Sequence, residues 1–482
     1  MSTSIAYLLN VLAHASSRVL GMGAGFFCFV LFARGLGSDA LGQLAFVMAF
    51  VWIAGNIADF GTNTALAKSL AEHRDQDPAV WFGNFLLVRL GLTLVTLVLG
   101  ALVSVLLGGE RLLPMLLGCA ATPFMAARFF ESLFQIFERP QYSVYTALVL
   151  GSCQISLCAT ALWLGGGLNG YMAAFAVSQL IYFSFAMFLS RALVVPRFVW
   201  RQEHAAALMR LALPMGVSAL AIAFYTRADI FLLTYLRSST EVGWYNAAYR
   251  LLDLSTAVAV TAALPLIPIL TRRLLHSRED ARLLCTELMV FVATVLLPVA
   301  VLVDGLSDFI MQRIYGEAFI ASAPALRVFA WLFMAGAYSL MASSINLAAG
   351  NMRYNYWLAP LAGAVNIGLD AWLIPRHGIM GAAMGTAAGT LLTLAVVVWN
   401  VRLSVGNIHR AGDWLKLAVC GTVLHFALQA GRAGAIAPLL LVTACGLLYA
   451  GLAWRLGLVP VARLSEVLVA RRARKSRGAE PA

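Results

Sequence analysis

Charge is what this sequence has least of: only 12% of its 482 residues are Asp, Glu, Lys or Arg, about half the share found in ordinary soluble domains. With 61% of the residues hydrophobic, too little polar surface remains to wet a globule. A mean hydropathy of +0.84, spread along the chain, places most of the protein in hydrocarbon. Soluble enzymes and nucleic-acid-binding modules are excluded on this ground, in spite of a net charge of +12. Lysine is scarcer still. Lys68, Lys416 and Lys475 are the only three, and the other 31 cations are arginines, whose guanidinium forks best onto carboxylate or phosphate oxygens. The seven cysteines (Cys28, Cys119, Cys153, Cys158, Cys285, Cys420, Cys445) stand singly in apolar runs, with no CxxC and no His at ligand spacing. They read as small core residues, and no metal site or cofactor is expected. A GxxxxGK[ST] loop is missing, since Ala67-Lys68-Ser69 reproduces only its last letters, which excludes an ATP-driven pump. No cleavable leader is expected, because the first ten residues lack Lys and Arg and the first apolar run continues past Arg18 to Ala33.

What is present is a succession of apolar runs long enough to cross a bilayer as helices. They fall near residues 11–33, 41–67, 83–108, 112–137, 142–165, 169–195, 210–236, 241–270, 285–310, 323–348, 356–375, 378–401, 415–432 and 435–458. Lysines and arginines test that division independently. The even-numbered connections and the tail hold 22 of them, against 7 in the odd-numbered connections. By the positive-inside rule, an even number of helices with both termini cytoplasmic is the consistent solution. The connections are short, so no extramembrane catalytic domain is expected. The basic end, "RRARKSR" from Arg471, reads as a solvated flank at the anionic headgroups.

Two stretches recur at matching places. "GLGSDALGQ" from Gly35 parallels "LRSSTEVGW" from Leu236, with Gly42 on Gly243, and "GGGLNGYMAAFAVSQL" parallels "RHGIMGAAMGTAAGTL", with Gly170 on Gly381. The offsets, 201 and 211, are similar. The expected fold is therefore an all-α polytopic membrane protein of 14 transmembrane helices. It comprises a six-helix bundle over 1–205, a second over 206–405, two appended helices over 406–460 and a basic cytoplasmic tail over 461–482. Both repeats start on the cytoplasmic side, which makes them parallel. Gly381, Gly385 and Gly389, like Gly21 and Gly25, form small-xxx-small steps suited to close helix contact.

Ten charged residues sit inside these spans: Arg18, Arg89, Arg128, Arg227 and Arg250 with Asp59, Glu131, Asp229, Asp253 and Asp370. At about 2.5 to 3.5 kcal/mol for each charge at the bilayer centre, they must pair with one another or line a hydrated cavity. Counting residues from each turn puts Arg18 level with Asp59, Arg89 with Glu131, and Asp229 with Arg250. The five arginines are candidates for an anion-binding cavity. Asp59, Glu131, Asp229 and Asp253 are candidates for ion pairs with them or for carrying a proton or sodium ion. Buried structural pairing of all ten stays open beside this reading.

Four motifs carry a resemblance: "ARGLGSDALGQLAFVMAF" from Ala33, "ADFGTNTALAKSLA" from Ala58, "YGEAFIASAPALRVFAW" from Tyr315 and "LIPRHGIMGAAMGTAAGT" from Leu373. With them the chain resembles bacterial polysaccharide or O-antigen flippases of the Wzx type, in the multidrug/oligosaccharidyl-lipid/polysaccharide exporter superfamily. The resemblance implies two bundles around a cationic cavity that opens alternately to either side. It also implies a cargo, an oligosaccharide on undecaprenyl pyrophosphate moved to the outer leaflet of the bacterial plasma membrane. Coupling to H+, Na+ or the membrane potential, and contact with other polysaccharide-assembly membrane proteins, belong to the same expectation. A peptidoglycan lipid-precursor flippase shares fold and chemistry. A cation-coupled multidrug antiporter would ordinarily have twelve helices and a carboxylate-centred cavity. A membrane glycan polymerase or ligase, an enzyme, would need a sizeable outer loop, which this chain lacks.

Overall fold

The computed structural model describes residues 3–72, 77–125, 129–263, 266–434 and 437–458, and among these there is helix and no strand. The expected tail, 461–482, lies outside the described residues. Among the described residues, eleven helical stretches are long and apolar enough to cross a membrane, the first of them, Val19–Leu70, 52 residues long. This chain is a multi-pass membrane protein.

Helix α3 (Pro78–Leu107) shows how such a sequence packs. Arg89, Thr93, Thr96, Gly100 and Ser104 recur every three or four residues and are buried, while Leu94, Val98, Leu102 and Val105 on the opposite side are exposed. Polar and small residues face inward and apolar ones outward, the pattern of a helix solvated by lipid. Its start is fixed locally: Asp77 accepts a hydrogen bond from the Ala79 amide at 2.9 Å, with Pro78 in the first turn.

The ends of the runs follow equally local rules. The first helical stretch, α1 (Thr3–Asp59), is broken at Gly37, whose φ of 82° an L side chain rarely adopts. The run expected over 41–67 ends α1 at Asp59 and resumes as α2 (Thr62–Glu72) after Phe60 and Gly61, both at positive φ. Between α6 (Gln141–Trp163) and α7 (Gly167–Ser190) the "GGG" sequence makes the expected tight turn, with Gly165 and Gly167 at positive φ. The run over 210–236 is interrupted: α8 (Gln202–Tyr225) stops, and α9 (Ala228–Leu236) starts after Thr226 and Arg227.

The chain divides into two compact units. The first contains 1–250, 311–322 and 363–386; the second contains 251–310, 323–362 and 387–482. Phe82, Phe85, Phe129, Phe130 and Phe134 form the aromatic centre of one core in the first unit, together with Leu208 and Ala212 of α8. Because α8 contributes to that core, the first unit runs on past residue 205. The second unit has a core of its own, in which buried Asn346 donates to the Val397 carbonyl at 3.0 Å and to the Tyr354 hydroxyl at 3.2 Å.

The duplicated turn motif appears inside the first unit as a reciprocal contact. A methyl group on Gly42 would collide with the Ser239 carbonyl, and one on Gly243 would collide with the Ser38 carbonyl. Ser38 and Ser239, like Gly42 and Gly243, are 201 residues apart. The two close approaches are thus reciprocal at the same offset as the two turn motifs. Gly42→Ala and Gly243→Ala should each destabilise the protein by about 1–3 kcal/mol through overpacking. Gly21→Ala and Gly23→Ala, which meet nothing within 4 Å, should leave thermal stability unchanged or slightly raised. Thermal unfolding of the detergent-purified variants checks the contrast.

Candidate functional site

Two polar clusters and two arginines in aromatic surroundings occupy the first unit. The first cluster is built on the break after α1. Gly61 packs so closely on α8 that a Cβ there would lie 2.8 Å from the Ala212 carbonyl oxygen. The break lets Asp59 cap α2: its Oδ1 accepts from the Asn63 amide at 3.2 Å, and its carbonyl accepts from the Thr62 hydroxyl at 2.6 Å. Arg89 reaches this cap from α3. Its Nη1 donates to Asp59 Oδ1 at 3.1 Å, Thr62 Oγ1 at 3.1 Å and Asn63 Oδ1 at 2.7 Å. The guanidinium lies 5.6 Å from the Phe85 ring centre and 5.4 Å from that of Phe129. Its side chain is only 5% exposed and that of Asp59 28%. Arg89 thus meets Asp59, where counting from the turns had set it level with Glu131. Residue counts give depth along a helix and say nothing of the direction in which a side chain points. Glu131 itself is half-buried in the first turn of α5 (Phe129–Ile136).

The second cluster gathers acids from two helices that are distant in sequence. Asp229 stands in the first turn of α9, buried, with Oδ1 accepting from the Ile230 amide at 2.8 Å. Its Oδ2 accepts from the Tyr245 hydroxyl at 2.5 Å, and that hydroxyl lies 3.2 Å from Thr386 Oγ1. Tyr245 belongs to α10 (Ser239–Ala263) and Thr386 to α16 (Ile379–Ser404). Asp370, on α15 (Asn355–His377), is fully buried and interacts electrostatically with Asp229. Among the described residues, neither oxygen of Asp370 has a hydrogen-bond partner. Its carboxylate fills the space that a side chain on Gly385 would take, while Gly381 gives the same room to the backbone of Leu373 and Ile374. A buried carboxylate without a donor is stable only when protonated or when a cation is bound beside it.

Arg250 projects from α10 onto aromatic rings. Its guanidinium lies 5.6 Å from the Phe29 ring centre, and its Nη2 is 3.4 Å from where a Gly25 Cβ would stand. Phe26 and Phe29 pack edge-on against Tyr315 at 6.3 and 6.2 Å. Arg227 occupies the interruption between α8 and α9, 5.6 Å from the Trp52 ring centre. An interrupted membrane helix with a charge at its break is a frequent element of transporter binding sites. The Arg18 side chain and all of Arg128 fall outside the described residues. Asp253, half-buried, belongs to the second unit. Tyr245, Thr386 and Gly385 were not anticipated as site residues. Hydroxyls inside an apolar run were the available signal for the first two.

A family model described as polysaccharide biosynthesis protein matches residues 7–273, more than half of the chain. The chain belongs to the polysaccharide biosynthesis protein family. It is also 23% identical over 391 residues to the probable low-salt glycan biosynthesis flippase Agl15 of Haloferax volcanii, spanning 77% of this chain and 78% of that protein. Its fold is similar to that of the lipid II flippase MurJ in an inward closed conformation. That comparison has a TM-score of 0.74 at 14% identity, over 92% of this chain and 98% of the other. The fold is similar as well to an inward-facing multidrug resistance MATE family transporter of the MOP superfamily, with a TM-score of 0.68 at 13% identity, over 82% and 98%. Family and relatives are flippases and transporters rather than enzymes, as the motifs implied.

Within this family member, the Arg89–Asp59 pair gives a direct test. Asp59→Asn leaves a buried guanidinium without its counter-charge and should cost about 3 kcal/mol, seen as a lower unfolding temperature and a lower folded yield. Replacing both partners with Leu and Met should recover part of that loss.

Proposed function

We propose that this protein flips undecaprenyl-pyrophosphate-linked oligosaccharide from the cytoplasmic to the outer leaflet of the bacterial inner membrane, by alternating access, for cell-surface polysaccharide synthesis. The observation that carries this reading is the placement of Arg250. A guanidinium in an apolar span is held against Phe29, in room left by Gly25. A glycan headgroup cannot cross hydrocarbon unaided, and its pyrophosphate is best gripped by forked donors. Arg227, at the interruption of its helix, is a second such group; Arg18 and Arg128 are proposed for the same role from the sequence alone. Arg89, enclosed with Asp59, is assigned to the fold.

Asp229 and Asp370 are read as the site of the coupling cation, H+ or Na+. A fully buried carboxylate that has no hydrogen-bond partner among the described residues and lies beside a second acid supports this. The reading keeps fourteen spans, two parallel six-helix bundles, an appended pair and cytoplasmic termini. Gly37 divides the first long stretch into two spans, and α10 with α11 (Leu266–His276) and α17 (Ala411–Ala433) supply those beyond the hydropathy criterion.

In cells dependent on this transporter, Arg250→Gln should trap lipid-linked glycan on the cytoplasmic face at normal protein levels, with Arg250→Lys partly active. Wild-type flipping by both Arg250→Gln and Arg227→Gln would refute the anion path. Asp370→Asn should remove the dependence of flipping on the proton or sodium gradient. An unchanged gradient dependence would refute the coupling assignment.

A further inference from the structure

Between α7 and α8 the chain runs without helix from Arg191 to Arg201 and is fastened to α3 at several points. The Arg197 amide donates to the Ala79 carbonyl at 2.9 Å, and its side chain pairs with Asp77 at 2.9 Å. Asn84, fully buried, donates to the Val199 carbonyl at 2.8 Å and accepts from the Arg201 amide at 2.9 Å. Gly83 is required by the same strap, since any Cβ there would collide with the Arg197 carbonyl. Val194 plugs the strap into the aromatic core, and the Trp81 ring packs against His204 just beyond it, ring centres 4.2 Å apart and planes tilted by 51°.

So fixed a backbone would ordinarily bury its large side chains, yet Phe198 is 63% and Trp200 59% exposed, flanked by exposed Val195 and Val199. Irregular backbone with outward aromatic residues belongs at the level of the lipid headgroups. Directly adjoining is a cleft of about 660 Å³ lined by Arg201, Gln202, Glu203, Ala206, Ala207 and Arg210. Arg191, Arg201 and Arg210 are exposed, and the cleft's one acid is Glu203, while Arg197 is already neutralised by Asp77. A net positive cleft beside an apolar, aromatic shelf has the two halves of an anionic phospholipid's chemistry, phosphate and acyl chain.

We propose that the 191–210 segment is a docking surface for an anionic phospholipid, its phosphate between Arg201 and Arg210 and its chains over Phe198 and Trp200. The proposal depends on the chain lying in a membrane and is independent of the cargo and of the coupling ion.

The test uses the full-length protein with photoreactive benzoylphenylalanine in place of Trp200, in phosphatidylcholine vesicles containing one-quarter phosphatidylglycerol, with the crosslinked lipid identified by mass. Phosphatidylglycerol should be enriched in the adduct well above its share of the vesicle. Arg201→Gln or Arg210→Gln should each lower the enrichment about fivefold, and the pair should return it to the bulk ratio. Both arginines are exposed, so folding of the variants is confirmed by an unchanged unfolding temperature. Adducts at the bulk ratio in the unsubstituted background, or adducts to protein instead of lipid, would each overturn the proposal.

Discussion

The whole architecture depends on satisfying charge where water is scarce. Each ionised side chain in the hydrocarbon zone has to find a counter-charge, donors or a hydrated path, and the protein uses different solutions at different places. Arg89 is enclosed by one carboxylate, two side-chain oxygens and two aromatic rings, and becomes part of the scaffold. Asp370 is buried, and among the described residues neither of its oxygens has a donor, an arrangement that costs free energy unless a proton or a cation compensates it. The contrast between a satisfied and an unsatisfied buried charge separates the groups that hold the fold from those available to work.

Small residues make these solutions possible. Gly385 yields its side-chain volume to the Asp370 carboxylate, Gly25 to the Arg250 guanidinium, and Gly83 to the strap before α8. In a bilayer, where apolar contact between helices gains little over contact with lipid, close backbone approach is a principal source of helix affinity. The glycine steps noted in the sequence therefore serve packing and polar chemistry together. The Gly42 and Gly243 contact extends this to the duplication, with each copy supplying the gap into which the other's backbone fits.

Helix breaks place the candidate groups. Asp59 becomes a cap because α1 ends beside Phe60 and Gly61, and Arg227 is set at the start of α9 because α8 stops at Tyr225. Had these spans run straight, both charges would have lain on a continuous helix surface, where the backbone offers neither free amides nor an altered direction. Asp229 gains its position in the first turn of α9 from the same break.

Much of the fold was legible in order. The scarcity of charge fixed the solvent, the apolar runs showed a helical membrane protein but neither the breaks inside 41–67 and 210–236 nor a count of fourteen, and glycine-rich turns at 37 and 165–167 marked where runs end, because these depend on composition and local backbone preference. The candidate site was legible only as a set of charged residues. Their partners were not, since pairing depends on azimuth, and a break of two residues at Phe60 or Thr226 rotates everything beyond it. The meeting of Asp229 with Tyr245, and the nearness of Asp370 to Gly385, join consecutive helices through side-chain directions that residue counts do not give, and Thr386 and Asp370 reach the Asp229–Tyr245 pair from far along the chain. The sequence determined that this protein lives in a membrane and carries charge into it, because transfer free energy is a property of residues. Only the tertiary structure decided which of those charges are spent on one another, because that is a property of distances between helices.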